Sequence, residues 1–149
     1  MKVVNMVLVG TVSSLFYSPP IGRICVTSFD LDTQGILKDK HYNQNPSRSV
    51  LMTSLESYAL AKHHGIAMDK GFLGENILID YNPYHLSSGT RLQIGETILE
   101  ITQPCTLCKS LSDIDVSLPL LLKDDRGIFA KVLVAGCIKE GDSLYLLET

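Results

Sequence analysis

The sequence has no basic excess, few cysteines and no long uninterrupted apolar run, and each shortage excludes something. Lysine and arginine number 13 against 16 aspartates and glutamates, for a net charge of -3. A general nucleic-acid-binding surface needs the opposite balance, because it must neutralise a row of phosphates. A small anionic ligand held by a few local basic groups stays compatible. The four cysteines, Cys25, Cys105, Cys108 and Cys137, are too few and too scattered for a disulfide framework in 149 residues. They read as reduced thiols of a cytoplasmic protein. The one apolar run, residues 3–16, is broken by Asn5, Gly10, Thr11, Ser13 and Ser14. It is too short and too polar to cross a bilayer and carries no small-x-small cleavage signature, so no membrane is expected. Gly71-Phe72-Leu73-Gly74 is not followed by the Gly-Lys-Ser/Thr of a phosphate loop, and no Gly-x-Ser-x-Gly elbow occurs. There is no internal repeat, low-complexity tract or linker, and the length suits a single domain over residues 1–149.

What is present is a series of short strand signals. Residues 3–15 are rich in β-branched side chains and end at Ser18-Pro19-Pro20, where proline has no N–H to give a sheet. Residues 24–29 form a second strand. Residues 30–47 have neither helical nor strand period and read as a long loop, a kind of segment that is often functional. Residues 48–52 form a strand. Thr53-Ser54-Leu55-Glu56 then reads as a capping box with Thr53 as the cap. The helix it opens closes with His63-His64 in the last turn and Gly65 as a left-handed cap. Residues 77–80 form a buried strand. Residues 91–94 and 97–102 flank Gly95-Glu96, a hairpin with glycine first in the turn. Residues 112–123 read as irregular or briefly helical, residues 128–135 as a strand, and Gly136 and Gly141-Asp142 as brackets of a final hairpin. Many short strands with one firm helix indicate a mainly β protein, a barrel or sandwich with peripheral helices.

The chemistry concentrates after the hairpin, in Thr102-Gln103-Pro104-Cys105-Thr106-Leu107-Cys108-Lys109. A single Cys-x-x-Cys is a weak signal. Structural zinc needs two further ligands at regular spacing, and a thioredoxin-like pair needs a βαβ setting. Two ordinary thiols remain the plain alternative. Elsewhere, Asp39-Lys40-His41 is a polar cluster in the long loop. Arg48 and Lys109 can bind an anionic group, the arginine by its planar fork and the lysine as a point charge. Glu75-Asn76 can meet a ligand or only satisfy loop backbone.

In order, the chain carries Gly35-x-x-x-Asp39-x-His41, Arg48-Ser49-Val50, Leu55-Glu56-Ser57-Tyr58, Gly74-Glu75-Asn76-Ile77, Gly89 to Gly95, Leu99 to Pro104 with Cys108, Gly127 to Leu133, and Gly141-Asp142. The order and spacing of these blocks resemble a MOSC domain, the module named for the C-terminal part of molybdenum-cofactor sulfurases, which are pyridoxal-phosphate-associated enzymes. The length resembles the small stand-alone bacterial members. The resemblance implies a barrel of the pyruvate-kinase β-barrel-like type with a few peripheral helices. It implies association with molybdenum cofactor (molybdopterin), a pterin carrying a phosphate and a dithiolene-bound metal. Cys108 matches the family cysteine that ligates molybdenum in reductases of N-hydroxylated substrates, or is proposed to carry sulfur as a persulfide in other relatives. Asp39, His41, Arg48, Glu75, Asn76 and Lys109 become candidate cofactor-binding residues. The implied partners are the pterin itself and a cysteine desulfurase or other cofactor-handling protein, with a non-catalytic carrier role as a further reading. The chain departs from the family pattern at Lys38, where glycine is common, at Cys105, where arginine is common in reductase-type members, and at Leu107, where proline is. A second thiol near Cys108 suits sulfur handling, since a neighbouring thiol resolves a persulfide or disulfide.

Cys108→Ser is expected to abolish sulfur or metal loading while the circular dichroism spectrum stays that of the wild type, and Cys105→Ser is expected to have the weaker effect. Equal losses from both, measured by elemental analysis and intact mass after anaerobic purification, would mean a dithiol or zinc site instead.

Overall fold

The computed structural model describes residues 5–106 and 117–148. Among the described residues, eleven strands and two α-helices follow one another. Strand β1 (Asn5–Tyr17) is followed by β2 (Ile24–Val26), β3 (Ser28–Asp32), β4 (Gly35–Ile36), a 3-10 turn (Pro46–Arg48) and β5 (Val50–Ser54). Helix α1 (Leu55–His63) leads to β6 (Ile77–Ile79), β7 (Arg91–Ile94) and β8 (Thr97–Pro104). Helix α2 (Leu118–Leu121), β9 (Ile128–Val134), β10 (Gly136–Lys139) and β11 (Ser143–Glu148) complete the chain.

The hydrogen-bonded order β11-β7-β8-β9-β5-β6-β1 closes on itself through β1–β11 pairing, giving a seven-stranded barrel, and β2 adds to β1 outside the ring. All pairings are antiparallel except β5 with β6. That parallel pair is why α1 lies between them: parallel neighbours require a crossover connection. Alternate residues of most barrel strands enter the core. Val50 and Met52, Ile77 and Ile79, Leu92 and Ile94, Leu99 and Ile101, and Ala130 and Val132 form one core with Val12 and Leu15. A small second sheet, β10-β3-β4, supplies Phe29, Leu31, Ile36 and Ile138 to the same core. Ala61, Ile66 and Leu73 pack with Leu118 and Leu122 in a separate cluster between the helices.

The mainly β reading and the β7–β8 hairpin agree with the sequence pattern, and Gly95 has the positive φ of +56° expected of the first turn residue. Several local readings do not. Residues 24–29 are two strands, in different sheets, because the chain switches partner at Thr27. The long loop contains β4, which pairs with β3 and buries Ile36 completely. The cap of α1 is Ser54, whose hydroxyl accepts from Glu56 N–H, and not Thr53. Thr53 is the penultimate residue of β5, and its hydroxyl donates instead to the Arg126 carbonyl. The glycines at 136 and 141 do not bracket a hairpin: β10 pairs with β3, whereas β11 pairs with β7 and β1.

Leu99 is fully buried and Leu120 is 80% exposed. Leu99→Ala is therefore expected to cost about 2–5 kcal/mol, and Leu120→Ala to stay within about 0.5 kcal/mol, in urea unfolding followed by circular dichroism.

Candidate functional site: a basic cleft

Five segments converge on a cleft of about 650 Å³: the chain after β1, the 37–48 stretch, the loop before β6, the end of β8 and the start of β9. Its walls carry Arg23, Lys40, His41, Arg48 and Arg126, and among the described residues no carboxylate lines it. Arg48 lies over the Phe129 ring at 4.8 Å. Arg23 lies over Phe16, donates to the Ser18 hydroxyl at 3.1 Å and also bonds the Glu75 carbonyl. Arg126 is nearly buried; one terminal nitrogen donates to the Leu73 carbonyl at 3.0 Å, and its Nε has no partner. Among the described residues none of these four permanent cations is in an ion pair. A concave site lined by unpaired cations has a positive potential that concentrates anions.

Asp39 sits behind the cleft wall with its side chain 1% exposed. Its Oδ1 accepts from Ser18 N–H at 2.7 Å, and its Oδ2 accepts from His41 N–H at 2.9 Å and lies 3.2 Å from His41 Nδ1. Burial alone would raise its affinity for a proton. The hydrogen bonds from the His41 ring, Ser18 and His41 N–H outweigh that, and the carboxyl is held below its ordinary range. It is an ionised acceptor. The His41 ring stands at the cleft, 59% exposed.

The Gly-Glu-Asn segment builds the wall from behind. Glu75 is fully buried and is not among the cleft-lining residues. Its Oε2 accepts from Tyr58 O–H at 2.6 Å and Gly71 N–H at 3.1 Å, while Oε1 has no partner. The Tyr58 oxygen also accepts from Gly71 and Leu73 N–H. Burial and the charge of Glu75 push the Tyr58 hydroxyl well up, so it stays a donor. Asn76 does line the cleft, but its amide is spent on structure: Oδ1 accepts from Leu51 N–H and Nδ2 donates to the Phe16 carbonyl, tying β5 to the end of β1.

The structure thus brings His41, Arg48 and Asn76 to one cleft, with Asp39 directly behind His41 and Glu75 directly behind the loop that forms one wall. Cys108 and Lys109 lie outside the described residues. Cys105 is buried, its N–H donates to the Gly127 carbonyl, and with Thr106 it borders both the cleft and a second, apolar cavity that also meets Tyr84, Pro119, Leu120 and Ile128. Among the described residues no group of three or more His, Cys, Asp or Glu is placed to hold a metal. Arg23 and Arg126 are cleft residues that the sequence reading passed over. Arg126 falls in what reads as a simple Asp-Asp-Arg-Gly turn; its one signal is an arginine two residues before a buried strand. Its guanidinium lines the cleft that Cys105 also borders.

Lys38, directly before Asp39, has φ +74°. A left-handed backbone costs an L residue about 1–2 kcal/mol, which glycine avoids at some entropic cost. Lys38→Gly is expected to raise stability by about 0.5–1 kcal/mol in denaturant unfolding, with the cleft unchanged.

No helix among the described residues is long and apolar enough to cross a membrane. No curated protein matches the chain. Among solved structures, the YuaD protein from Bacillus subtilis superimposes with a TM-score of 0.80 at 15% identity, covering 97% of this chain and 98% of that one. YiiM from Escherichia coli gives 0.70 at 21% identity, over 93% of this chain and 70% of that one. YiiM from Geobacillus stearothermophilus gives 0.68 at 17% identity, over 97% and 76%. These likenesses establish the shared fold. The MOSC domain profile matches residues 39–145, from the Asp39-x-His41 cluster into the closing strand of the barrel, and the chain belongs to the MOSC domain family.

Proposed function

We propose that the basic cleft binds the pyrophosphate- or phosphate-bearing end of a molybdenum-cofactor-type pterin, and that Cys108 is the thiol that serves it. The observation that carries this reading is Arg126. A buried guanidinium whose Nε lacks a partner forfeits about 1–3 kcal/mol of hydrogen bonding. Its guanidinium lines the cleft, so an anionic oxygen bound there would meet it in a charge-assisted bond. The residues present therefore fit the group: Arg23, Lys40, Arg48 and Arg126 supply the charge, and Asn76 and the Tyr58–Glu75 pair keep the wall in place. Cys105 leaves the cleft without an arginine at that position, and Arg126 answers for it.

When bound, the cofactor supplies a redox-active metal held by dithiolene sulfur. The protein's share is to bind and orient the anion, to keep Glu75 and Tyr58 away from it, and to offer soft thiolate sulfur at Cys108 as persulfide carrier or metal ligand. The persulfide version takes its sulfur from a cysteine desulfurase or similar donor. With Cys108 as ligand, the activity is reduction of N-hydroxylated compounds. With neither, the protein is a carrier in cofactor handling.

The test is pterin and molybdenum content after anaerobic purification from a host that makes the cofactor. Arg126→Gln and the more exposed Arg48→Gln are each expected to lower retained pterin about tenfold or more, while Lys131→Gln, whose partner Glu100 is on the barrel wall at 3.1 Å, leaves it unchanged. Wild-type protein without pterin, or cleft variants that retain it fully, would overturn the reading.

A further inference from the structure

We propose that His41, held by Asp39, is the group that moves protons in the cleft. The inference rests on the reading that the cleft receives an anion, and goes beyond it by giving one ring nitrogen a role.

Three features of the site support this role. First, the Asp39 carboxylate is fixed independently of the His41 ring: Ser18 N–H holds Oδ1 and His41 N–H holds Oδ2. These two main-chain donors come from separate segments, so the acceptor is set by the fold and not by the imidazole. Second, an ionised carboxylate only accepts. The 3.2 Å contact to His41 Nδ1 therefore requires the proton to sit on Nδ1. In the neutral ring Nε2 is then the lone-pair nitrogen, and among the described residues it has no protein partner. Third, the ring lines the cleft, and His41 is the one histidine among the described residues that does so. A carboxylate that takes the proton-bearing nitrogen of the ring and so selects its tautomer is the device by which proteins aim a histidine at a reacting group.

The other cleft groups are unsuited to the task. Asp39 is buried and has both oxygens engaged. Arg23, Arg48 and Arg126 stay charged, and the Lys40 amino group offers no acceptor beside its donors. The Tyr58 hydroxyl lies behind the wall and is held protonated by burial and by Glu75. Histidine is the side-chain type that exchanges protons readily near neutral pH. The proposed step is a proton transfer alone: the imidazolium gives the Nε2 proton to an oxygen of the bound ligand, the bonding pair stays on Nε2, and the ring recovers a proton from solvent at its exposed edge.

The experiment uses the full chain with 15N-labelled histidine and no cofactor. Long-range proton–nitrogen correlation spectra should place the proton of neutral His41 on Nδ1, and Asp39→Asn should move it largely to Nε2. Inorganic sulfate, an anion that does not titrate near neutrality, should raise the midpoint of the His41 titration, and Arg126→Gln should abolish that shift. In cofactor-loaded protein turning over a hydroxylamine-type substrate, His41→Gln should lower kcat about 100-fold with KM and pterin content unchanged, and should remove one limb of the pH profile. A wild-type Nε2–H tautomer, a midpoint that sulfate leaves in place, or an unimpaired His41→Gln enzyme each overturns the proposal. Loss of the cofactor reading is separately visible, as absent pterin with the tautomer and the sulfate response intact.

Discussion

The structure depends on the pairing of β1 on both edges. Its first half meets β11 from the far end of the chain, with Asn5 opposite Glu148 and Thr11 opposite Ser143. Its second half meets β6, with Val12 opposite Ile79 and Leu15 opposite Ile77. The register slips between Leu8 and Gly10 and again between Val12 and Ser14, which lets one strand serve two directions of the barrel wall. Gly10 is needed there: a Cβ would come within 2.4 Å of an Asp80 carboxylate oxygen that already accepts from Thr11 N–H. Ring closure removes the free edges that a seven-stranded open sheet would present. It also carries the chain to Ser18, whose N–H fixes Asp39. Barrel closure and the setting of the cleft histidine are thus consequences of the same strand.

Charge in the cleft is arranged by separation. The two carboxylates behind its walls are both spent on neighbours, Asp39 on backbone N–H groups and the His41 ring, Glu75 on Tyr58 and Gly71 N–H. The cations are left without counter-charges among the described residues. In a chain of net charge -3 the positive site is therefore a local construction that bulk composition does not report. Lys38 shows a related compromise. It holds a left-handed backbone conformation directly before Asp39, so the turn that delivers the carboxylate is kept even without the glycine that would relax it.

Local chemistry was legible where neighbours in sequence are also neighbours in space. The β7–β8 hairpin follows from alternation on both sides of a glycine turn, and α1 from its cap residues and Gly65, whose φ is +80°. The helix cap was misplaced by one residue because Thr53 and Ser54 are equivalent locally. The Arg126 carbonyl, 73 residues away, takes the Thr53 hydroxyl, and Ser54 is left to cap. Likewise the glycines after β9 mark where the chain turns, but turn chemistry says nothing about which strand will supply the next ladder. That is decided by β3 and β1.

By itself the sequence determined the mainly β class, the hairpin, the helix and, through the spacing of its motifs, the family. Each of these rests on interactions within a few residues or on the order of blocks along the chain. Only the tertiary structure decided that Asp39 stands behind His41 and not beside it in the cleft, and that Glu75 faces Tyr58 and not a ligand. It also decided that Arg126 joins Arg48 in one cleft. The physical reason is that exposure, charge partnership and the direction of a side chain are properties of the folded surroundings. Segments from β1, the 37–48 stretch, the loop before β6 and the start of β9 must meet before any of them has a value.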